Sequence, residues 1–150
     1  MLESLNRVVE QNIGDSMFIT MMYGSYDPRT HQFSYSGAGH EPGFYYHARK
    51  EQFEDLHAKG LVLGLSRKFK YQEFEKDVHE GDLIVFLSDG VTECRVDGRF
   101  LEREEITALI QKYITLSAQE IVDSVYHDLA KLQGFDLKDD FTLMILRRRV

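Results

Sequence analysis

Residues 81–93 read GDLIVFLSDGVTE, and the first half of this segment is the most apolar strand-like run in the chain. The run itself, residues 82–88, is too short for a helix of ordinary length. A continuous apolar run bounded by turn residues is typical of a strand that is buried on both faces. We therefore predict that residues 82–88 form a central strand of a sheet and that Asp89 lies directly at its exit.

The sequence that follows this strand predicts two helices and a closing strand. Residues 101–113 and 117–133 both have the apolar spacing of amphipathic helices. In the second of them, Ser117 followed by Glu120 is the capping-box pattern that marks a helix start. Residues 140–147 read DFTLMILR and predict the last strand.

The sequence that precedes the central strand predicts one helix and a series of antiparallel strands. Residues 2–12 carry apolar side chains on one helical face. Residues 32–37 alternate strictly, with Phe33 and Tyr35 on one face, and we expect them to form a hairpin with the strand before them. Because the helices are segregated from the strands, the predicted fold class is α+β with an antiparallel sheet. The other predicted strands lie at residues 17–26, 43–48, 52–57 and 69–78.

Length and composition restrict the function. The chain has 150 residues, which suits one domain with a real core. Its net charge of -7 argues against nucleic-acid binding as the main role. No apolar run approaches the roughly 20 residues of a membrane-spanning helix, and no signal peptide is recognisable. A single cysteine, Cys94, suits a reducing compartment, so we expect a cytoplasmic protein that binds neither nucleic acid nor membrane.

Two acidic positions stand out because each lies at the end of a predicted strand. Asp89 follows the apolar strand, and we expect Gly90 to allow a sharp turn that directs this carboxylate inward, toward partial desolvation. Asp139 and Asp140 precede the last strand, where two adjacent carboxylates repel each other unless a cation lies beside them. Hard oxygen ligands favour Mg²⁺, Mn²⁺ or Ca²⁺ over Zn²⁺. The alternative interpretation is an ordinary Asp-Gly turn and a solvated loop.

Several motifs in a fixed order give the sequence a resemblance to a known family. Residues 81–93 resemble the signature of the type 2C (PPM) metal-dependent serine/threonine protein phosphatases, and in particular of their bacterial SpoIIE/RsbU-like branch. Residues 139–142 (DDFT), before an apolar strand, resemble the last motif of that branch. Residues 35–42 (YSGAGHEP) and 60–65 (GLVLGL) resemble two further motifs, and residues 18–26 fit the strand before them.

This resemblance implies a fold, a cofactor and a set of site residues. The family fold is an antiparallel β-sandwich with flanking helices, and its members use two Mn²⁺ or Mg²⁺ ions to hold a phosphoryl group and activate a water molecule. The match implies that Asp89 and Asp139 are metal ligands, with Asp140 as a weaker candidate. Because the nucleophile is water, no side chain is implied as a catalytic nucleophile. Gly90 is implied to let its loop approach the metals. His40, in the Gly-Ala-Gly-His-Glu-Pro loop, could contact phosphate or metal-bound water, but a role in the structure of its loop or a hydrogen bond to backbone is favoured.

One motif of the family has no counterpart here. The family begins with a strand pair and a Gly-Asp-x-x-Gly-x-Gly motif whose aspartate bridges both metals, whereas residues 14–16 (GDS) lack the later glycines. The resemblance therefore implies that residues 1–150 are a single partial phosphatase domain without the N-terminal strands and the first metal motif. We expect this chain alone to be inactive or nearly so. We also expect it to form a homo-oligomer through apolar surface that the missing strands would cover, or to rearrange its N-terminal helix.

The function implied by the resemblance is hydrolysis of phosphoserine or phosphothreonine on a regulatory protein. In this branch the substrate is a phosphorylated antagonist of an anti-sigma factor, which implies a role in bacterial signal transduction, sigma-factor regulation and the stress response. The alternative is a non-catalytic interaction module with a vestigial phosphatase fold. A third hypothesis, a hydrolase of another phosphoester, would be favoured by activity on small phosphates but not on phosphoproteins.

Overall fold

The computed structural model describes residues 1–14, 17–96, 98–132 and 140–149. Within these residues no helix is both long and apolar enough to cross a membrane. In chain order the elements are α1 (Leu2–Asn12), β1 (Met21–Asp27), β2 (Gln32–Ala38), β3 (Gly43–His47), β4 (Gln52–Leu56), β5 (Phe74–Asp77), β6 (Leu83–Leu87), α2 (Asp89–Thr92), β7 (Arg95–Val96), β8 (Arg99–Phe100), α3 (Arg103–Lys112), α4 (Ala118–Leu132) and β9 (Leu143–Arg147).

These elements fall into two compact units. The first unit comprises Met1–Pro42 and Leu56–His79, and the second comprises Gly43–Asp55 and Glu80–Val150. Both contain an antiparallel sheet, and helices accompany both sheets. The fold class predicted from the sequence, α+β with antiparallel sheets and flanking helices, is confirmed.

The first unit contains a three-stranded antiparallel sheet in the order β1-β2-β5. β1 and β2 pair along their whole length, from Met21 opposite Ala38 to Asp27 opposite Gln32, which confirms the predicted hairpin. In the turn between them, the Asp27 carboxylate accepts the N–H of Arg29 at 2.8 Å. This hydrogen bond fixes the turn and holds the pKa of Asp27 below its ordinary value.

Helix α1 packs Leu2 and Val9 into the core of the first unit, but Val8, which the helical spacing places on the same apolar face, is 54% exposed. One polar residue of the helix, Asn6, is also fully buried. Its side-chain oxygen accepts the N–H of Gly64 at 2.8 Å, and its side-chain nitrogen donates to the carbonyl of Ser66 at 2.9 Å. Burial of this amide is tolerated because both its donor and its acceptor are satisfied. The buried apolar cluster around it consists of Leu2, Val9, Ala38 and Leu63.

The second unit contains the predicted central strand, which is β6 in a four-stranded antiparallel sheet of order β4-β3-β6-β9. Its internal position confirms the prediction from its apolar run. β6 pairs with β9 from Leu83 opposite Arg147 to Leu87 opposite Leu143, so the end of β6 adjoins the start of β9. Helices α3 and α4 contribute to the same core. Its buried members are Phe44, Tyr46, Leu83, Val85, Leu87, Val91, Cys94, Ile106, Ile110, Ile121, Val125 and Leu129.

The starts of the two long helices in this unit are fixed by side chains. At α4 the Ser117 N–H donates to the Glu120 carboxylate at 2.9 Å, and the Glu120 N–H donates to Ser117 Oγ at 3.3 Å. The predicted capping box is therefore confirmed. At α3 the N–H of Glu102 donates to Glu105 Oε2 at 2.9 Å. Each of these bonds satisfies a backbone N–H that has no partner within its helix.

Three predicted strands begin later than the sequence indicated, and one of them is β9, which begins at Leu143 rather than at residue 140. β1 begins at Met21 rather than at residue 17, because residues 17–20 are exposed and only Ile19 forms an isolated bridge. β5 begins at Phe74 rather than at residue 69, because β2 pairs with it over only four residues. Apolar residues in the segments before β1 and β5 made these predicted strands too long, since pattern alone does not report the length of the pairing partner.

Other local features were missed or misplaced by the sequence pattern. The helix α2 and the β7-β8 hairpin were not predicted, because elements of four and two residues are too short for a periodicity to be visible. Leu132, one of the apolar residues of the predicted helix 117–133, is the last residue of α4 and is 55% exposed. The buried face of α4 thus ends at Leu129 and Ala130, two residues before the end of the helix.

Candidate functional site

The turn after β6 carries Asp89, the acidic residue expected at the exit of the central strand. Ser88 precedes α2 as its N-cap, and Asp89 is the first residue of that helix. The turn is closed by the N–H of Val91 donating to the Ser88 carbonyl at 3.0 Å and by the N–H of Glu93 donating to the Asp89 carbonyl at 2.7 Å. Asp89 Oδ1 also accepts the N–H of Gly90 at 3.1 Å, which restricts rotation of the carboxylate.

Ser88 connects this turn to the chain that leads into β9. Its hydroxyl donates to the carbonyl of Asp140 at 2.9 Å and accepts the N–H of Thr142, also at 2.9 Å. The N–H of Ser88 donates to the Thr142 carbonyl at 3.0 Å and so extends the β6-β9 ladder by one bond. The structure therefore brings together the backbones that bear Asp89 and Asp140, which are 51 positions apart in the sequence.

Gly90 is the point at which the two segments come closest. A Cβ atom added to Gly90 would lie 2.4 Å from the carbonyl oxygen of Asp140 and 2.9 Å from its carbonyl carbon. Ordinary van der Waals contact for a Cβ begins at 3.4 Å, so no larger residue fits without displacing the Asp140 backbone. The glycine of the Ser-Asp-Gly sequence is thus required by close packing.

Two expectations about this turn are wrong. Gly90 was expected to supply a sharp turn, but its φ is not positive and it lies inside α2. Asp89 was expected to face partial desolvation, but its side chain is exposed. The reason for both differences is that a helix begins at Asp89 itself, and the buried positions of this helix are Gly90 and Val91.

The other predicted site residues are placed as follows. Asp140 is exposed, like Asp89. Asp139 lies outside the described residues, so its assignment stays a prediction. His40 belongs to the first unit, where it is half-buried and its Nδ1 lies 3.2 Å from the hydroxyl of Thr20. This contact connects the loop after β2 to the segment before β1.

The chemistry available at the end of β6 is that of hard oxygen donors. Asp89 and Asp140 both offer exposed carboxylates beside a backbone contact that holds their segments together. Over residues 1–14, 17–96, 98–132 and 140–149, no three His, Cys, Asp or Glu side chains are gathered around a point where a metal ion could bind.

Sequence reasoning assigned no role to two residues that shape this site. Ser88 is the N-cap residue of α2, a position where a serine hydroxyl usually accepts an N–H of the first helical turn. Here the hydroxyl instead donates to the carbonyl of Asp140, in the segment that leads into β9. Cys94 lies one turn further on, where its thiol is buried and donates to the Gly90 carbonyl at 3.3 Å. Burial raises the pKa of this thiol, so its nucleophilic thiolate form is disfavoured.

The family model of Stage II sporulation protein E (SpoIIE) matches residues 1–149. The phosphoserine phosphatase RsbU of Bacillus subtilis is 55% identical over 149 residues, which are 99% of this chain and 44% of that protein. The chain thus spans less than half the length of this relative.

Two solved structures show the same fold. The RsbU and RsbW domains of a Mycobacterium tuberculosis protein superpose with a TM-score of 0.73 at 25% identity, over 99% of this chain and 41% of that one. The SiaA-PP2C domain of Pseudomonas aeruginosa superposes with a TM-score of 0.78 at 17% identity, over 98% of this chain and 58% of that one.

The antiparallel α+β architecture, with carboxylates at the adjoining ends of β6 and β9, is that of a PP2C-type phosphatase domain. Because the family model covers almost the whole sequence, the assignment can be made more specific. The chain belongs to the Stage II sporulation protein E (SpoIIE) family, and the resemblance read from its motifs is confirmed.

Proposed function

We propose that this chain carries part of a metal-dependent centre that hydrolyses phosphoserine or phosphothreonine on a regulatory protein. The proposal rests on two hydrogen bonds of the Ser88 hydroxyl. It donates to the carbonyl of Asp140 and accepts the N–H of Thr142, so it contacts the backbone on both sides of residue 141. Through this bridge, Asp89 and Asp140 are presented from one end of the β6-β9 pair. Membership of the SpoIIE family supports the reaction class.

The donor set is suited to Mn²⁺ or Mg²⁺. Both described carboxylates are exposed, so a cation can reach them from solvent. Oxygen donors of this kind are those preferred by hard divalent ions. We propose Asp89 and Asp139 as ligands, with Asp140 as a weaker candidate. When bound, such a metal pair supplies charge stabilisation for a phosphoryl group and an activated water.

The contribution of the chain's own residues is orientation. Ser88 fixes the distance between the two backbone segments, and Gly90 lets them touch. The N–H of Gly90 donates to one oxygen of Asp89, which restricts the orientations of the carboxylate before any ligand arrives. Preorganisation of this kind reduces the cost of assembling a charged site.

The relatives support a protein substrate. RsbU of Bacillus subtilis is named a phosphoserine phosphatase, and the Mycobacterium tuberculosis structure joins an RsbU domain to an RsbW domain. We propose by this similarity that the substrate is a phosphorylated regulatory protein, an antagonist of an anti-sigma factor, in the cytoplasm. The 150-residue chain lacks the family's Gly-Asp motif, and we propose that on its own it has little or no activity.

The inactivity of the isolated chain is tested with p-nitrophenyl phosphate and millimolar Mn²⁺. We expect turnover at background level, and robust turnover that Asp89→Asn abolishes would contradict the proposal. Calorimetric titration with Mn²⁺ gives a second readout, for which we expect weak binding that Asp89→Asn removes. The matched control is Glu93→Gln, which neutralises another exposed carboxylate four positions away and should leave Mn²⁺ binding unchanged.

The reaction class is tested on the full-length product of the parent gene. Dephosphorylation of a phosphoserine protein should require Mn²⁺ and should be lost in Asp89→Asn and in Asp139→Asn. Metal-dependent turnover that survives both substitutions would overturn the site assignment. The interaction-module alternative is favoured if the parent gene encodes no Gly-Asp motif and its product shows no turnover.

A further inference from the structure

The first unit contains a small pocket whose polar side chains are imidazoles and an ammonium group. Its volume is about 290 Å³, at the lower end of the range for ligand sites, so it suits a small group. The residues that line it contribute two histidines, one lysine and no carboxylate. They are Gly39, His40, Pro42, His57, Ala58, Lys59 and Gly60.

We infer that this pocket binds the phosphoryl group of a phosphate monoester or of inorganic phosphate. The chain as a whole has a net charge of -7, so an anion must be recognised by local donors and not by the overall field. Lys59 offers three N–H donors with a positive charge, and His40 offers a ring N–H donor. Charge-assisted hydrogen bonds from such groups are the strong contacts to phosphate oxygens.

The walls of the pocket are held by direct contact between two backbone segments. A Cβ on Gly37 would lie 2.0 Å from the Ala58 carbonyl oxygen, and a Cβ on Gly60 would lie 2.0 Å from the Gly37 carbonyl oxygen. Gly39 has a φ of 66° and its Cβ would lie 2.4 Å from Val62 Cγ1. No side chain separates the two segments at these glycines, so the backbones that carry His40 and Lys59 have a fixed spacing.

The orientation of His40 agrees with a donor role. Its Nδ1 faces the hydroxyl of Thr20 at 3.2 Å, which leaves Nε2 as the ring nitrogen for a ligand. When the Thr20 hydroxyl donates to Nδ1, the neutral ring carries its proton on Nε2 and is a donor there. When the ring is protonated, Nε2 is again a donor. In these two states His40 can donate to an anion, whereas the neutral tautomer with its proton on Nδ1 presents Nε2 as an acceptor.

A metal ion is a poorer occupant of this pocket. Two histidines are fewer than the three protein ligands of a catalytic zinc site. Lys59 would repel a cation. Within the described residues, no cluster of three metal-binding side chains is found here or elsewhere. The inference goes beyond the proposed function, because it concerns phosphoryl binding in a unit that contains none of the proposed metal ligands.

The test is metal-free NMR of the 150-residue chain with labelled histidine. Inorganic phosphate and O-phosphoserine are titrated separately at constant ionic strength, with chloride as the reference anion. We expect the ring signals of His40 and His57 to shift along a saturable curve, while the signal of His79, which does not line the pocket, stays in place. Tighter binding of O-phosphoserine would indicate a phosphorylated protein as the source of the group, and binding of phosphate alone would indicate the free anion.

Two lysine variants make the test specific. Lys59→Gln should weaken phosphate binding by about five- to tenfold, because one charge-assisted contact is lost. Lys68→Gln removes the same charge from an exposed position outside the pocket and should change binding by less than about twofold. Equal shifts with phosphate and chloride, or equal weakening in the two variants, would overturn the inference. Because no metal is present, such a failure leaves the proposed phosphatase function standing.

Discussion

Substitution of Gly90 by alanine tests whether close backbone packing holds the carboxylate segments together. The new Cβ would lie 2.4 Å from the Asp140 carbonyl oxygen. The segment that leads into β9 must therefore move away by about 1 Å to reach the 3.4 Å of ordinary van der Waals contact. Over-packing of this kind costs about 2 kcal/mol. Loss of the two bonds made by the Ser88 hydroxyl costs about 2 kcal/mol more, and the higher helix propensity of alanine returns about 1 kcal/mol.

The net expectation is a loss of about 3 kcal/mol in the free energy of unfolding. For a chain of this length, that loss lowers Tm by about 6–12 °C. The assay is thermal unfolding followed by circular dichroism, with calorimetric Mn²⁺ binding as a second readout that should also weaken. The matched control is Gly14→Ala, since a Cβ at Gly14 meets nothing within 4 Å. If Gly90→Ala melts within about 2 °C of the parent chain, as we expect for Gly14→Ala, the packing argument is refuted.

Three further predictions concern the second unit. Tyr45→Phe removes a buried hydroxyl that donates to the buried carboxylate of Asp82. Urea unfolding should show a loss of about 2 kcal/mol in the free energy of unfolding. An unchanged unfolding midpoint would contradict a structural role for this hydrogen bond. Cys94 should react with Ellman's reagent at pH 8 only after urea unfolds the chain, because the thiol is buried and burial raises its pKa. Fast labelling of the folded chain would contradict this expectation, since it would show that the thiol is accessible. The bidentate Arg99 guanidinium, together with a backbone N–H, lowers the pKa of Glu105 to about 2. The stabilising contribution of the Glu105 carboxylate is therefore complete above the unfolded pKa of 4.5 and is lost as the pH falls toward 2. Glu105→Gln should thus have a lower free energy of unfolding than the parent chain at pH 6, and the difference should shrink progressively below pH 4.

The core of the fold could be predicted from the sequence because its signals are local. The apolar run at residues 82–88 indicated a buried strand, and the Ser117–Glu120 pattern indicated a helix start. The alternation of Phe33 and Tyr35 marked one strand of a hairpin. In each case the information lies within a few neighbouring residues, and the structure has the element where the pattern predicts it.

Strand ends and the details of the site depend on pairing between distant segments. Residues 17–20 are apolar enough for a strand, but no neighbouring strand pairs with them beyond one bridge. Asp89 could be selected as a strand-end carboxylate, yet its exposure follows from a helix that begins at the same residue. The role of Ser88 depends on a contact with residues more than 50 positions away, which no local pattern contains.

The glycines in the motifs explain why those motifs could be recognised before any geometry was known. Gly37, Gly60 and Gly90 belong to three different motifs, and at each of them a Cβ would lie 2.4 Å or less from a carbonyl oxygen of another segment. For Gly37 that oxygen belongs to Ala58, and for Gly90 it belongs to Asp140. The glycines therefore mark contacts where two backbones touch, and this is a property of the fold. A motif match of this kind is strong evidence for the fold, but the role of each neighbouring side chain has to be tested by itself.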